Sequence, residues 1–151
     1  MKKIILLLAL TLSTVSFAQL KKVETVKAEE IGKVGPFGAP MQIECTKVGN
    51  VYTISYRDIE FKTIDEYRSF EFEDVDNTFE DLYAAIKDGL EKLPEESVTL
   101  ELPNYILSLE FKKALGVPLV RFYTSPKGSS RVSASNQFTR KQIDKLFGKK
   151  K

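Results

Sequence analysis

The sequence predicts an α+β fold: a mostly antiparallel sheet of about 6–8 strands with two helices packed on one face. Three observations indicate it. Short segments alternate apolar and polar residues between turn residues, whereas two other segments repeat apolar residues with the period of a helix. All strand connections are short except the one that contains the first helix, and short connections join antiparallel strands. Helices on one face of such a sheet complete a two-layer domain.

The first eighteen residues have the three parts of a secretory signal peptide. Two lysines follow Met1, residues 4–12 are apolar except for Thr11, and Ser16-Phe17-Ala18 places small residues where signal peptidase reads them. The apolar run is about half of the roughly 20 residues that a spanning helix needs. We therefore expect cleavage after Ala18, a periplasmic or secreted bacterial protein, and no stable membrane insertion once the signal is removed.

Four segments make up the predicted domain organisation. Residues 1–18 are the signal peptide, and residues 19–40 are an N-terminal arm, either a first strand or loosely held, that ends in a loop rich in glycine and proline. Residues 41–148 form a single α+β domain, and residues 149–151 are a basic tail. The 133 residues left after cleavage suit one domain, since domains cluster at about 100–150 residues.

The clearest hairpin lies within residues 41–57. Its turn, Gly49-Asn50, fits a two-residue type II′ turn, which has glycine at the first central position. Pairing outward from this turn places apolar residues opposite apolar ones and polar residues opposite polar ones, as a half-buried antiparallel pair requires. The predicted pairs are Cys45 with Ile54, Ile43 with Tyr56, Glu44 with Ser55, and Thr46 with Thr53.

The remaining strands follow from the same alternation. The second hairpin strand is predicted to run on through Ile59 and Phe61, which have the opposite parity and therefore require a bend or bulge. A strand over residues 67–73 places Phe70 and Phe72 on one face. Later strands are predicted at residues 98–102, 105–112, 117–123 and 131–135.

The first helix is predicted to begin after Asn77 and to stop before Pro94. Asn77 as N-cap and Glu80 three residues on form a capping-box pattern. Acidic residues crowd the first turn, where the helix dipole favours them. The apolar residues that repeat at helical spacing are Phe79, Leu82, Tyr83, Ile86, Leu90 and Leu93.

The acidic residues before this helix also resemble those of a calcium-binding loop. Asp74, Asp76 and Thr78 have the alternating spacing of a cation-binding loop. A calcium-binding EF-hand needs glycine at the sixth loop position and glutamate at the twelfth, where this chain has Phe79 and Ala85. Helix capping and the dipole explain the acids without a metal, so we expect no metal site.

A second, shorter helix closes the chain. Thr139 and Gln142 form another capping box, and Gly148 ends the helix. The lysines at 149–151 are expected to extend into solvent.

Charge is distributed unevenly along the mature chain, whose net charge is zero after the signal lysines are lost. Residues 58–110 carry 16 acidic and 4 basic side chains, whereas residues 111–151 carry 11 basic and 1 acidic. We expect the two segments to lie side by side and neutralise each other. The alternative is two faces of opposite sign, of which the basic one meets an anionic partner.

One loop resembles a site for an anion. Lys127, Ser129, Ser130 and Arg131 combine two cations and two hydroxyls around Gly128. The phosphate-binding P-loop motif is absent, so a solvated loop is the simpler interpretation. The hypothesis worth testing is contact with a sulfate, a phosphate or a sugar acid.

Composition argues against several other kinds of site. The chain has no histidine to activate a nucleophile, and its single cysteine, Cys45, is expected in the core rather than as a reactive thiol. Zinc usually takes cysteine and histidine ligands, so a zinc site is disfavoured. No catalytic residue can be assigned, and we expect no cofactor and no nucleic-acid partner.

The favoured function is an exported, non-catalytic domain that binds a protein or a cell-envelope partner. Two alternatives stay open. A small hydrolase of envelope polymers would use two carboxylates about 5–10 Å apart. A carrier would hold an apolar small ligand in a pocket behind Phe79, Tyr83 and Ile86. The lack of a catalytic motif favours the non-catalytic binding domain over these two alternatives.

Overall fold

The computed structural model describes residues 26–61 and 63–149, which form two four-stranded antiparallel sheets and two α-helices. The first sheet consists of β1 (Glu29–Val34), β2 (Ile43–Val48), β3 (Val51–Arg57) and β4 (Tyr67–Glu73), followed by α1 (Thr78–Lys92). The second consists of β5 (Val98–Glu101), β6 (Tyr105–Ala114), β7 (Val117–Pro126) and β8 (Ser133–Thr139), followed by α2 (Arg140–Leu146). Within each sheet, strands adjacent in sequence are hydrogen-bonded neighbours.

The α+β class and the antiparallel pairing of eight strands agree with the sequence prediction. The strands are divided between two sheets instead of forming one. The expected placement of both helices on one face is not shown. Instead, α1 contacts β6 and β7 of the second sheet, and α2 contacts β1 and β2 of the first as well as β8. Each half of the chain thus uses its helix to cover the other half.

The predicted register of the β2–β3 hairpin is confirmed at all four pairs. Gly49 has a φ of 59°, and Asn50 does not have a positive φ, which fits the predicted type II′ turn. The inner positions of this hairpin, including Cys45 and Ile54, are buried. Burial raises the pKa of the Cys45 thiol to about 12, so the cysteine is a protonated core residue.

The predicted continuation of β3 through Ile59 and Phe61 is wrong. The strand ends at Arg57, and the next residues turn out of the sheet. The Ile59 N–H donates to the carbonyl of Ala134 in β8, at 2.9 Å. Ile59 and Phe61 thus leave β3 instead of continuing it past a bend. The hydrogen bond of Ile59 then links the first half of the chain to the second.

The start of α1 differs from the capping-box prediction. Asn77 has a left-handed conformation, with φ of 68°, and its side chain makes no capping hydrogen bond. Asp74 takes that role: its Oδ1 accepts from the N–H of Phe79 at 3.0 Å. The capping explanation of the acids therefore holds, with a different residue as the cap. The second predicted capping box, of Thr139 with Gln142 at the start of α2, is present.

One hydrophobic core joins both sheets and both helices. At one end of it, the ring of Phe79 stacks on Tyr52, with centroids 4.0 Å apart, and lies 4.9 Å from the ring of Phe147. We call Tyr52, Phe72, Phe79 and Phe147 the aromatic cluster. At Gly32 of β1, a Cβ would collide with the carbonyl oxygen of Lys145, so glycine is needed for α2 to lie directly on β1.

Five ion pairs join the acidic segment 58–110 to the basic segment 111–151. They are Lys112–Glu110, Arg121–Glu110, Lys127–Glu101, Arg140–Glu91 and Lys149–Glu80. The segments lie side by side, as expected, in β6–β7 and α1–α2. Lys149 pairs with α1 instead of extending freely. In the described part of the chain, no helix has both the length and the apolarity needed to cross a membrane.

Candidate functional site

The inner face of β3 ends in a tyrosine that meets polar groups instead of apolar ones. The hydroxyl of Tyr56 is hydrogen-bonded to Thr124 Oγ1 of β7 and lies 2.6 Å from Ser133 Oγ of β8. The two smaller hydroxyls are 3.0 Å apart and lie on paired residues of β7 and β8. All three residues are buried. Burial raises the pKa of Tyr56, although its hydrogen bonds to Ser133 and Thr124 partly oppose the shift.

A buried ion pair lies beside this hydroxyl network. Arg68 pairs with Tyr56 across β3 and β4, and its Nε lies 3.5 Å from Asp58 Oδ2. The Asp58 side chain is 1% exposed, and its other oxygen accepts from the Glu60 N–H at 3.1 Å. Glu66 contacts the outer end of the guanidinium at 3.2 Å. Two carboxylates therefore share the charge of one arginine at the edge of the first sheet.

Between β4 and the second sheet, Arg68, Thr124 and Ser133 border a cavity of about 340 Å³. It is lined by two arginines, Arg68 and Arg131, and by three hydroxyl side chains, Ser69, Thr124 and Ser133. Two tyrosines, Tyr67 and Tyr105, complete its aromatic lining. We call this space the arginine–hydroxyl cavity. Its buried floor donates and accepts hydrogen bonds, and its rim is cationic, a combination that suits an oxyanion or a sugar acid.

The structure brings one of the four predicted anion-site residues into this cavity. Arg131 lines it, whereas the amine of Lys127 lies 2.7 Å from Glu101 Oε1. Ser129 makes bonds within the loop, since its Oγ accepts from the Arg131 N–H at 3.1 Å. Ser130 is exposed. Anion binding by the loop itself stays a prediction, and the assembled cavity offers Arg131 more polar neighbours than the loop does.

Sequence reasoning missed the cavity residues contributed by β4, β6, β7 and β8. A signal for Arg68 was present, because it has the parity of Phe70 and Phe72 and so lies on the buried face of β4. A charged residue on a buried face needs a partner, and here that partner is Asp58. Nothing in the local pattern shows that Thr124 and Ser133 meet Tyr56, which is 68 and 77 positions away.

The features expected of the two alternative functions, an apolar-ligand carrier and a carboxylate hydrolase, are weaker than those of the arginine–hydroxyl cavity. The space behind Phe79 is filled by Tyr52 and Phe147, where the carrier hypothesis expects an empty pocket. A general acid needs a raised pKa, yet Lys127 lowers the pKa of Glu101, and Lys112 lowers that of Glu110. Within residues 26–61 and 63–149, no cluster of three or more histidine, cysteine or acidic residues is arranged to hold a metal ion.

Comparison with known proteins found no match to a family model, to a curated protein or to a solved structure.

Proposed function

We propose that this chain is an exported, non-catalytic domain that binds an anionic group of a protein or cell-envelope partner in the arginine–hydroxyl cavity. The observation that carries the proposal is the convergence of Arg68, Arg131 and the buried hydroxyls of Thr124 and Ser133 on one cavity. These side chains come from β4, from β7, and from β8 and the loop before it.

Charge balance assigns the main electrostatic role to Arg131. The charge of Arg68 is shared with Asp58 and Glu66, so Arg68 chiefly orients the ligand. Arg131 makes no ion pair with any other described residue, and its guanidinium can present two parallel donors to a carboxylate, sulfate or phosphate. The Ser69 hydroxyl would donate to a remaining oxygen, and Thr124 or Ser133 would do so by turning its proton away from the hydroxyl network with Tyr56.

Titration of the mature protein with inorganic phosphate, sulfate and glucuronate, followed by NMR chemical shifts, tests this function. The expected shifts map to the cavity. Arg131→Ala is expected to weaken binding about tenfold or more, since a charge-assisted hydrogen bond contributes ~1.5–3 kcal/mol. Lys127→Ala should have a smaller effect because Glu101 already neutralises that amine.

Lys113→Ala is the matched control, because Lys113 is an exposed cation of β6 that does not line the cavity. Equal loss of affinity in Arg131→Ala and Lys113→Ala would indicate unspecific charge attraction and count against the site. Export is tested separately by mass spectrometry of protein from its native cells: the expected mature chain begins at Gln19, and retention of Met1 would contradict it.

A carrier of an apolar ligand is kept as a second candidate because of a different cavity. About 580 Å³ of space, lined largely by apolar groups, lies between the end of α1 and the start of α2, next to Leu90, Val117 and Pro118. Fluorescence of an apolar dye, with Val117→Lys as the blocking variant, tests it. Dye binding that survives this substitution would remove the candidate.

A further inference from the structure

The strand β4 has a free edge. The Arg57 N–H donates to the Gln42 carbonyl, so alternation along β3 directs its odd-numbered residues to β2 and its even-numbered ones to β4. The β4 residues opposite those even-numbered positions are Arg68, Phe70 and Phe72. The main-chain groups that point away from β3 therefore belong to Tyr67, Ser69, Glu71 and Glu73.

Most of these outward groups have no backbone partner. The carbonyl of Glu73 accepts from the Val75 N–H at 3.0 Å, and no other backbone bond joins the four residues to any element within residues 26–61 and 63–149. An edge of this kind is a template for another strand. It spans seven residues, or about 20 Å at ~3.3 Å per residue.

Two cavities lie along this edge. The arginine–hydroxyl cavity borders residues 67–69, and a second cavity of about 450 Å³ borders residues 71–73. The far wall of the second cavity is the turn between β5 and β6, from Glu101 to Asn104. We call this second cavity the glutamate cavity, because Glu71, Glu73 and Glu101 line it. Open space therefore flanks both ends of the strand that carries the free backbone groups.

We call the two cavities, together with the edge of β4 that both border, the cleft, and its two ends have opposite charge. Arg131 and Arg68 lie at the start of β4, whereas Glu71, Glu73 and Glu101 line the other end. Glu71 and Glu73 make no ion pair with another described residue. The apolar floor of the glutamate cavity includes Phe72 and Leu102. A ligand matched to the whole cleft has an anionic end, a cationic end and main-chain groups between them.

From this arrangement we propose that the partner is an extended peptide segment that adds to the free edge of β4 in antiparallel orientation. Its acidic C-terminal side, or its terminal carboxylate, occupies the arginine–hydroxyl cavity, and a basic residue near its N-terminal side meets Glu71 and Glu73. This inference rests on the proposed function, because it uses the same anion site, and it adds the chemical class of the partner. Strand addition gives affinity through main-chain bonds and specificity through such pockets.

The walls of the cleft favour a peptide over a second copy of the chain. Tyr105 and Arg131 on one side and Leu102 on the other face β4 across the two cavities. A second copy pairing through its own β4 would have to bring its own walls into this space.

The probe is a fluorescein-labelled seven-residue peptide with two lysines at its N-terminal end, alternating valine and threonine, and aspartate at a free carboxyl end. Anisotropy with the mature protein is expected to show saturable binding. A peptide with the same composition and the charges exchanged between its ends is expected to bind about tenfold more weakly.

Backbone pairing is tested without changing the protein. Two further peptides carry N-methyl groups on alternate amides, one set facing β4 and the other set facing away. One of the two is expected to lose about tenfold or more in affinity, and the other to lose much less. Equal losses, or none, would overturn strand addition.

Protein variants test the same edge. Ser69→Pro removes an outward N–H that β3 does not use, so the sheet keeps its bonds and proline is tolerated there. It also removes a hydroxyl of the arginine–hydroxyl cavity, so its phosphate affinity is measured alongside its peptide affinity. It is expected to weaken the peptide about tenfold, and Glu71→Lys about as much, whereas Lys113→Ala should change affinity less than twofold. Circular dichroism of each variant confirms folding, and the methylated peptides decide the question if Ser69→Pro does not fold.

The outcomes separate the inference from the proposed function. Phosphate or glucuronate binding without peptide binding overturns the inference and leaves the anion-binding function standing. Failure of both the small anions and the peptides removes both proposals. A concentration-dependent dimer that Ser69→Pro abolishes would show that a second copy occupies the edge, and would overturn the peptide as its occupant.

Discussion

The two ends of β3 place the same residue type in contrasting surroundings. Tyr52 and Tyr56 are four residues apart on one strand, and both point into the core. Tyr52 belongs to the aromatic cluster and stacks on Phe79. Tyr56 meets only hydroxyls at its tip, from Thr124 and Ser133. One tyrosine thus packs against apolar rings of its own half of the chain, and the other joins the two halves through buried hydrogen bonds.

This difference indicates that the two ends of β3 have different roles, one in stability and the other in binding. Stacked aromatic rings bury large apolar areas and contribute ~0.5–1.5 kcal/mol per pair beyond that burial. Buried hydroxyls contribute less net stability, because folding exchanges their bonds to water for bonds to each other. They do fix polar groups rigidly beside a cavity. We therefore expect substitutions in the aromatic cluster to affect stability, and those around Tyr56 to affect binding.

The largest effect is expected from Phe79→Ala. Phe79 contacts both Tyr52 and Phe147, so its truncation leaves a hole where three elements meet and should lower the free energy of unfolding by ~3–5 kcal/mol. Urea denaturation measures the loss. Phosphate affinity of the folded protein should be unchanged, because the cavity lies at the other end of β3.

Phe37→Ala is the matched control, since the Phe37 side chain is fully exposed and its loss should cost less than about 0.5 kcal/mol. If Phe79→Ala lowers the free energy of unfolding no more than Phe37→Ala does, the aromatic cluster is not the end of β3 that stabilises the fold.

Alkaline pH tests the middle of the hairpin, where Cys45 faces Ile54. The folded pKa of Cys45 is raised from 9.0 to about 12, so the unfolded chain loses this proton first. Its contribution is complete below pH 9 and falls by about 1.4 kcal/mol per pH unit as pH rises towards 12. Tyr56 and Tyr83, whose pKa values are also raised, add to the loss.

In Cys45→Ala, the free energy of unfolding is expected to fall less steeply with rising pH, because one titrating proton is lost. This holds whatever the substitution costs in stability at neutral pH. Urea midpoints measured at pH 8, 9 and 10 provide the comparison. An unchanged slope would mean that the thiol ionises equally in both states.

Tyr56→Phe and Tyr52→Phe compare the two ends directly. Loss of the Tyr56 hydroxyl should cost about 1 kcal/mol, because two buried hydroxyls lose a partner but keep each other. Phosphate binding should also weaken several-fold, as Thr124 and Ser133 are no longer fixed. Tyr52→Phe keeps the stack on Phe79 and should leave binding unchanged. Equal effects of the two substitutions on binding would contradict the proposed difference in roles.

The smallest effect concerns Asp58→Asn. Removal of this buried charge leaves Arg68 with one carboxylate instead of two, and the cavity becomes more positive. We expect phosphate affinity to rise a few-fold even as stability falls. Asp65→Asn, which alters the partner of Arg57 outside the cavity, should leave phosphate affinity unchanged. A fall in affinity with Asp58→Asn would mean that Asp58 serves to position Arg68 rather than to offset its charge.

Much of the fold could be predicted where a local rule was complete. The β2–β3 register followed from a glycine turn and from alternation, which agree independently. The capping box of α2 also formed as predicted, with Thr139 and Gln142 bonded reciprocally. The apparently similar pattern at Asn77 failed, because Asp74 reaches the Phe79 N–H from outside the pattern. A local motif therefore predicts the cap correctly only when no neighbouring residue outside the motif offers a better partner.

Far less of the candidate site could be predicted. Arg131 was selected from a loop of cations and hydroxyls, but its partners in the cavity come from separate strands. Lys127 looked equivalent in sequence and instead pairs with Glu101. Pairing between distant segments depends on which strands pack together, and residue types alone carry too little information to specify it.

Local sequence patterns were enough to predict the α+β class, the positions of most strands and both helices, and the burial of Cys45, because periodicity, turns and caps act over a few residues. The division into two sheets, the exchange of helices between halves and the assembly of the arginine–hydroxyl cavity depend on long-range packing and could not be predicted in this way. Those features join residues that are far apart in the sequence, such as Tyr56 and Ser133, which are separated by 77 positions. The energy of such contacts depends on the packing of the whole core, which no local pattern encodes.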